Sequence, residues 1–215
     1  MIPHALIFDC DGVIVNSEGP TFVLLQQNFV SFGLHITLDD LETNFIGGTM
    51  ADVEAKARLR GADLPPTWRD DFYEVLYAHL AQGVELVPGI LGVLDQLDQH
   101  AIPYAVGSNG SDRKMHVTLG QYPGLIQRFQ DRLFSGQTLG RPKPAPDLYL
   151  HAAAALGVAP SDCVVIEDSP TGARAAHAAG MVCYGYAAHG DGARLAAEGA
   201  IVFHQMADLP GLLGL

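Results

Sequence analysis

His4-Ala5-Leu6-Ile7-Phe8-Asp9-Cys10-Asp11-Gly12 is the stretch on which the reading turns. Its apolar run predicts a short buried strand, and the run stops abruptly on two carboxylates and a glycine. A lone strand cannot satisfy its own backbone groups, so it must join a sheet supplied by the rest of the chain. That sheet is legible from Pro88-Gly89 onward. Helix Ile90 to Gln99 leads to strand Ile102 to Ser108, then helix Asp112 to Leu119, strand Arg132 to Phe134, helix Ala145 to Leu156 and strand Cys163 to Glu167. Helix Pro170 to Ala179, strand Val182 to Tyr186 and a final helix and strand near Leu195 and Val202 complete it. Such alternation predicts an α/β fold, a parallel sheet with helices on both faces.

Between the opening strand and this alternating region the pattern is helical. Ser17 to Phe32, Ala51 to Arg60 and Pro65 to Gln82 carry helical signals, with a break around Gly47-Gly48. Gly19-Pro20 and Gly83 to Pro88 look like linkers, so the expected organisation is a core of residues 1–16 and 84–215 interrupted by an inserted helical cap, 17–83.

The whole chain of 215 residues is 48% hydrophobic and 17% charged, enough apolar material for a sizeable core. Its net charge of −12 repels nucleic acid and anionic bilayers, so neither is an expected partner. No apolar run approaches the length of a membrane span, and the first nine residues lack the basic start of a signal peptide. Cys10, Cys163 and Cys183 show no metal-binding spacing; a cytoplasmic location is expected. Cys10, between two acids, is read as inert.

Three strands end in polar clusters: Asp9 and Asp11, Ser108-Asn109, and Glu167-Asp168-Ser169. Ligands of open parallel sheets bind at the carboxyl ends of strands, so these clusters are expected to converge. Unit charges about 4 Å apart repel by roughly 4 kcal/mol at an effective dielectric near 20, so a cation must sit among four such carboxylates. Hard oxygen donors without His or Cys point to magnesium shared with a phosphate. Lys143, between Pro142 and Pro144, is a second candidate cation. Two carboxylates two residues apart allow a division of labour: one attacks phosphorus, while the other protonates the leaving oxygen and then activates water. Ser108 and Asn109 offer donors for phosphoryl oxygens, and Ser169-Pro170 reads as a helix start aimed at the same crevice, with Gly180 closing that helix.

Asp9-Cys10-Asp11-Gly12-Val13, Ser108, Lys143 and Glu167-Asp168, in that order and at strand ends, resemble the four motifs of the haloacid dehalogenase-like superfamily of aspartate-dependent phosphotransferases. The helical insert after the first motif is similar to the C1-capped subgroup, which includes phosphoglycolate phosphatase-like and beta-phosphoglucomutase-like proteins. Asn109 to Gly120 and Leu133 to Gly136 resemble the sugar-phosphatase branch that contains 6-phosphogluconate phosphatase. The resemblance implies a Rossmann-like core with an all-helical cap and a magnesium-dependent phosphatase of a small phosphorylated metabolite, in particular a sugar phosphate. It implies that Asp9 is the nucleophile and Asp11 the general acid and base, with its main-chain carbonyl on magnesium. Asp168 joins Asp9 on the metal, Glu167 supports that site, and Ser108 and Lys143 bind phosphate, with Asn109 beside them expected there from its amide alone. Specificity is expected in the cap loop at Gly47, Gly48 and Thr49.

Asn16 stands where the family usually has aspartate, and Gly107 is expected to loosen the strand before Ser108. A phosphosugar mutase is the alternative reading, but the hinge histidine and cap arginine of that type are missing from Glu18-Gly19-Pro20-Thr21 and Gly48-Thr49-Met50. A non-catalytic sugar-phosphate sensor would be expected to have lost Asp9 or Asp11. Lys56 and Arg60, four apart, are read as a solvated helix face, and Met115 and Phe129 as core. A monomer is expected, with a dimer left open.

Overall fold

The computed structural model describes residues 2–45 and 49–215. Six parallel strands, β1 (Ala5–Phe8), β2 (Tyr104–Ser108), β3 (Leu133–Ser135), β4 (Cys163–Glu167), β5 (Val182–Tyr186) and β6 (Ile201–Phe203), form one sheet in the order β3-β2-β1-β4-β5-β6. Strand succession therefore reverses beside β1. Phe8 lies opposite Val106 of β2 and Ile166 of β4, so these three strands end side by side. That is where an open parallel sheet leaves a crevice for a ligand.

The described helices are α1 (Glu18–Val30), α2 (Leu38–Phe45), α3 (Met50–Leu59), α4 (Trp68–Leu80), α5 (Ile90–Gln99), α6 (Asp112–Leu119), α7 (Pro123–Arg128), α8 (Gly136–Leu139), α9 (Asp147–Leu156), α10 (Pro170–Ala178), α11 (Ala193–Ala197) and α12 (Leu209–Leu213). Side chains alternate across β1: Leu6 and Phe8 join one core, Ala5 and Ile7 the other. The first core is completed by Val93 and Leu97 of α5 and by Met115 of α6, with Phe129 after α7. The second is thinner and rich in alanine, from Ala152 and Ala153 of α9 and Ala173, Ala175 and Ala176 of α10. Small residues let α9 and α10 lie close to the sheet, which brings their ends near the crevice.

Helices α1 to α4 form the inserted all-helical cap, and they have their own apolar centre. Trp68, the sole tryptophan, stacks between Phe29 and Phe72 with ring centroids 5.5 and 5.3 Å away, and its Nε1 donates to Asn28 Oδ1 at 2.7 Å. The two chain segments that join insert and sheet run beside each other. The Asn16 amide donates to the Glu85 carbonyl at 2.8 Å and the Val87 amide to the Ile14 carbonyl at 2.9 Å. One flank of the insert is tied down as well: Tyr77 bonds Ser111 at 2.6 Å, Glu74 pairs with Arg113, and Gln137 donates to the Tyr73 hydroxyl at 2.9 Å.

Several boundaries differ from the sequence expectation. The helix expected from Ala145 begins at Asp147, and that expected from Pro65 begins at Trp68, in each case after prolines that lack a backbone donor. Strand β2 starts at Tyr104, just past Pro103. Helices α2, α7, α8 and α12 were not foreseen. The last three have six residues or fewer, and α2 buries only Leu41 and Phe45 among polar neighbours. No described helix is long and apolar enough to cross a membrane.

Candidate active site

Asp9 follows β1 directly, and its amide donates to the Ile166 carbonyl of β4 at 2.9 Å, which fixes the first carboxylate at the sheet's edge. Lys143 reaches it from the loop before α9. The ammonium bridges two acids, 2.7 Å from Asp9 Oδ1 and 2.5 Å from Glu167 Oε1. All three are buried, with Asp9 8%, Lys143 5% and Glu167 0% exposed. What holds the lysine is Asn109. Its side-chain oxygen accepts from the Lys143 amide at 2.8 Å and its nitrogen donates to the Lys143 carbonyl at 3.1 Å. Asn109 thus clamps the lysine to the end of β2, a different use of its amide from the phosphate contact expected. Ser108, 1% exposed, lines the same cavity, and its Oγ accepts from the Gly110 amide at 2.9 Å.

Glu167 is saturated with donors. Besides Lys143, the Tyr149 hydroxyl donates to Oε1 at 2.7 Å, while the Asp168 and Ser169 amides, each at 3.0 Å, and the Ser169 hydroxyl at 2.9 Å share Oε2. Burial opposes its ionisation, but Lys143 and these donors outweigh it and hold the carboxyl below its ordinary value. Ser169 also caps α10, accepting from the Gly172 amide at 3.1 Å, and Gly180 follows that helix with φ +72°, as the sequence predicts. The Tyr149 ring also lies under the Lys143 ammonium at 4.9 Å. Gly107 gives it room, because a methyl there would stand 3.3 Å from the ring. The expected loosening of the strand is instead a space that Tyr149 fills.

Asp11 has separate partners. The Ser17 hydroxyl donates to Oδ1, and Lys114 from the first turn of α6 lies 2.8 Å from the same oxygen. Burial would raise this carboxyl, yet Lys114 and Ser17 prevail and hold it below its ordinary value. Asp9 behaves oppposite: burial pushes it up to about 7, with Glu167 and Asp11 adding to the rise and Lys143 opposing it. Asp168 is raised well above its ordinary value, by burial first and then by Glu18 and Asp9. Burial, followed by the charge of Asp11, pushes Glu18 up to about 8.

Asp9, Glu167 and Asp168 each bring a carboxylate oxygen into a group whose members all lie within 4.8 Å of one another. Gly12, at φ +76°, leaves the room that Asp168 needs, since a methyl there would sit 1.8 Å from Asp168 Oδ2. Hard oxygen donors whose charges resist burial fit a small divalent cation. Because all of Glu167's acceptor capacity is taken, the carboxylates left to face such an ion are Asp9 and Asp168.

The cavity over these groups is walled by the insert, mainly by Phe22, Leu25, Phe45, Met50 and Val53. Thr49 also lines it, but its hydroxyl is engaged in capping α3, bonded to Asp52 Oδ2 at 2.7 Å. Gly47 and Gly48 lie outside the described residues. Lys56 donates to the Asn44 carbonyl at 2.5 Å and Arg60 pairs with Asp40, so both serve the packing of α3 on α2. Ser17, Lys114, Glu18 and Tyr149 are the site residues that sequence reasoning missed. The available signals were a lysine one turn into the helix after Ser108 and a glycine opposite a tyrosine.

Comparison with known proteins places this geometry. Protein SUPPRESSOR OF QUENCHING 1, chloroplastic, of Arabidopsis thaliana is 34% identical over 83% of this chain, which spans only 17% of that relative's length. The 6-phosphogluconate phosphatase of Escherichia coli K12 is 29% identical over 97% of this chain and 94% of its own. A solved haloacid dehalogenase family hydrolase from Deinococcus radiodurans, holding phosphate and sodium, superposes with a TM-score of 0.79 at 34% identity, covering 98% of this chain and 95% of that one. The model of the haloacid dehalogenase-like hydrolases matches residues 3–180, and the chain belongs to that family.

Proposed function

We propose that the protein is a magnesium-dependent phosphatase of small phosphorylated metabolites, sugar phosphates foremost, working through an aspartyl-phosphate on Asp9. The observation that carries this reading is the separation of the two leading aspartates: Asp9 is bonded to Lys143 and Asp11 to Ser17 and Lys114. Two acids so close in sequence but differently partnered suit a nucleophile and a proton carrier. The Deinococcus relative's bound phosphate and the E. coli relative's named activity support the substrate class.

In this mechanism Lys143 and Ser108 orient the phosphoryl oxygens against the Asp9 carboxylate. A carboxylate oxygen of Asp9, kept ionised by Lys143 and the metal charge, attacks phosphorus, the ester P–O bond breaks, and the leaving alkoxide takes a proton from the Asp11 carboxyl. Lys114 and Ser17 hold that carboxyl ionised before substrate binds, and it must gain the proton when the substrate's negative charge arrives beside it. Asp11, now ionised, removes a proton from a water that attacks the same phosphorus. The Asp9–phosphorus bond breaks, and inorganic phosphate leaves. Asp9 and Asp168, with the Asp11 main-chain carbonyl, would hold magnesium, which when bound offsets the negative charge gathered there. Glu167 stands behind, fixing Lys143. Residues 1–16 and 84–215 carry the chemistry, and residues 17–83 exclude water and face the leaving group.

Hydrolysis is favoured over the mutase because, among the described residues, no cation of the insert faces the cavity to hold a second phosphate. Lys56 and Arg60 are occupied on α2. A panel of phosphorylated metabolites with magnesium should release phosphate, and Asp9→Asn should lower turnover roughly a thousandfold or more. Two in-line displacements preserve configuration at an isotopically chiral phosphorus. Inversion would rule out the aspartyl-phosphate, and sugar-phosphate isomerisation without free phosphate would indicate the mutase.

A further inference from the structure

The cavity holds two ammonium groups, and only one of them is assigned to the substrate. Lys143, its side chain 3% exposed, is shared between Asp9 and Glu167 and serves the phosphoryl side. Lys114, its side chain 14% exposed, lines the same cavity and contacts one acid, Asp11, at 2.8 Å. An ammonium has three donors, so the Asp11 contact leaves capacity for another acceptor. The position of Lys114 is also specific. Asp11 delivers its proton to the leaving oxygen, so a cation beside Asp11 stands on the alcohol side of the scissile bond.

The remaining walls offer little to an anion. Phe22, Leu25, Phe45, Met50 and Val53 are apolar, and the polar groups Glu18 and Asp168 repel negative charge. Tyr73, another lining residue, accepts from Gln137 at 2.9 Å, so its hydroxyl adds a neutral donor but no charge. Among the described residues Lys114 is therefore the one cation in the cavity able to receive an anionic group on the leaving alcohol. Its backbone is held for that task. Its amide donates to the Ser111 hydroxyl at 3.1 Å, and Ser111 is bonded in turn to Tyr77 of the insert at 2.6 Å.

We propose that Lys114 determines specificity by binding a carboxylate carried by the leaving alcohol, so that the preferred substrates are phosphate monoesters of hydroxy acids. This rests on the phosphatase reading above. A neutral polyol phosphate gains nothing from the ammonium, whereas a phosphorylated acid gains a charge-assisted hydrogen bond that offsets the repulsion of its carboxylate by Glu18 and Asp168.

Matched pairs test it: 3-phosphoglycerate against glycerol 3-phosphate, and 6-phosphogluconate against sorbitol 6-phosphate, with p-nitrophenyl phosphate as a general phosphatase control. In at least one pair the wild-type protein should favour the acid in kcat/KM by roughly tenfold to a hundredfold, the range of one charge-assisted hydrogen bond. Lys114→Met should bring that ratio close to one, mainly by raising KM for the acid, and Lys114→Arg should preserve it. If Lys114→Met lowers both members of each pair equally, Lys114 serves Asp11 alone and the proposal fails. It fails too if wild type favours the neutral member or hydrolyses only the aryl phosphate, although the phosphatase reading survives both results. Loss of all three activities in wild type would overturn the phosphatase reading and this proposal together. Should Lys114→Met not fold, product inhibition of the wild type decides: glycerate or gluconate must bind about tenfold more tightly than glycerol or sorbitol, and equal inhibition refutes the assignment.

Discussion

Replacing Gly172 with alanine sets two ordinary rules against each other. Within α10 the substitution improves helix propensity by about 1 kcal/mol. The methyl, however, would sit 1.7 Å from Glu167 Oε1 and 2.5 Å from Oε2. Unbonded heavy atoms settle near 3.5 Å, so the carboxylate must retreat by roughly 2 Å. Glu167 is fully buried and accepts five hydrogen bonds, including that from Lys143. Losing two or three of them at about 1–3 kcal/mol each outweighs the propensity gain and leaves a net destabilisation of about 1–8 kcal/mol. The upper part of that range is a large share of a typical folding free energy of about 5–15 kcal/mol. Lys143 would lose its second anchor, so activity should fall further than the unfolded fraction explains. Urea unfolding gives the stability change, and turnover of p-nitrophenyl phosphate well below the melting range gives the activity change. A Gly172→Ala protein as stable and as active as wild type would refute the claim that α10 is pressed against the Glu167 carboxylate.

Lys143→Ala leaves Glu167 buried without its cation, and uncompensated buried charge costs about 3–5 kcal/mol; a lowered urea midpoint with turnover nearly abolished is expected, and unchanged kinetics would remove Lys143 from the site. The raised carboxyls of Asp9, about 7, and Glu18, about 8, mean that the folded protein binds more protons than the unfolded chain from about pH 4 to 8, so stability should decline as pH rises through that window in the presence of chelator. Asp11 and Glu167, held below their ordinary values, act in the opposite sense only at lower pH. Magnesium competes with those protons, so its addition should raise the melting temperature more near pH 8 than near pH 5; a melting temperature that climbs with pH without metal contradicts the arrangement.

The strand ends were readable because β1, β2 and β4 are short, unbroken apolar runs that stop on polar clusters, and the parallel sheet brings those stops together. Asp9, Asp11, Ser108, Lys143, Glu167 and Asp168 meet as expected on that ground. Contacts across the crevice were not readable. Lys114 finds Asp11 from a helix about a hundred residues away in sequence, and its place one turn into α6 marks it only once the fold sets that turn beside Asp11. Tyr149 reads as a core residue of α9, which it is, while its hydroxyl answers to Glu167 on another strand. Asn109 looks like a ligand by type, and its use as a clamp on Lys143 depends on a loop whose path only the fold sets. Helix α2 escaped notice because two buried residues in eight make too faint a period.

The position of Trp68, sandwiched between Phe29 and Phe72, gives the molecule a natural optical reporter. With no other indole in the chain, red-edge emission comes from the helical insert alone, while the sheet is silent at that wavelength. Fluorescence melting curves therefore follow the insert, circular dichroism follows the whole chain, and comparing the two measures the cooperativity between the halves without any added label.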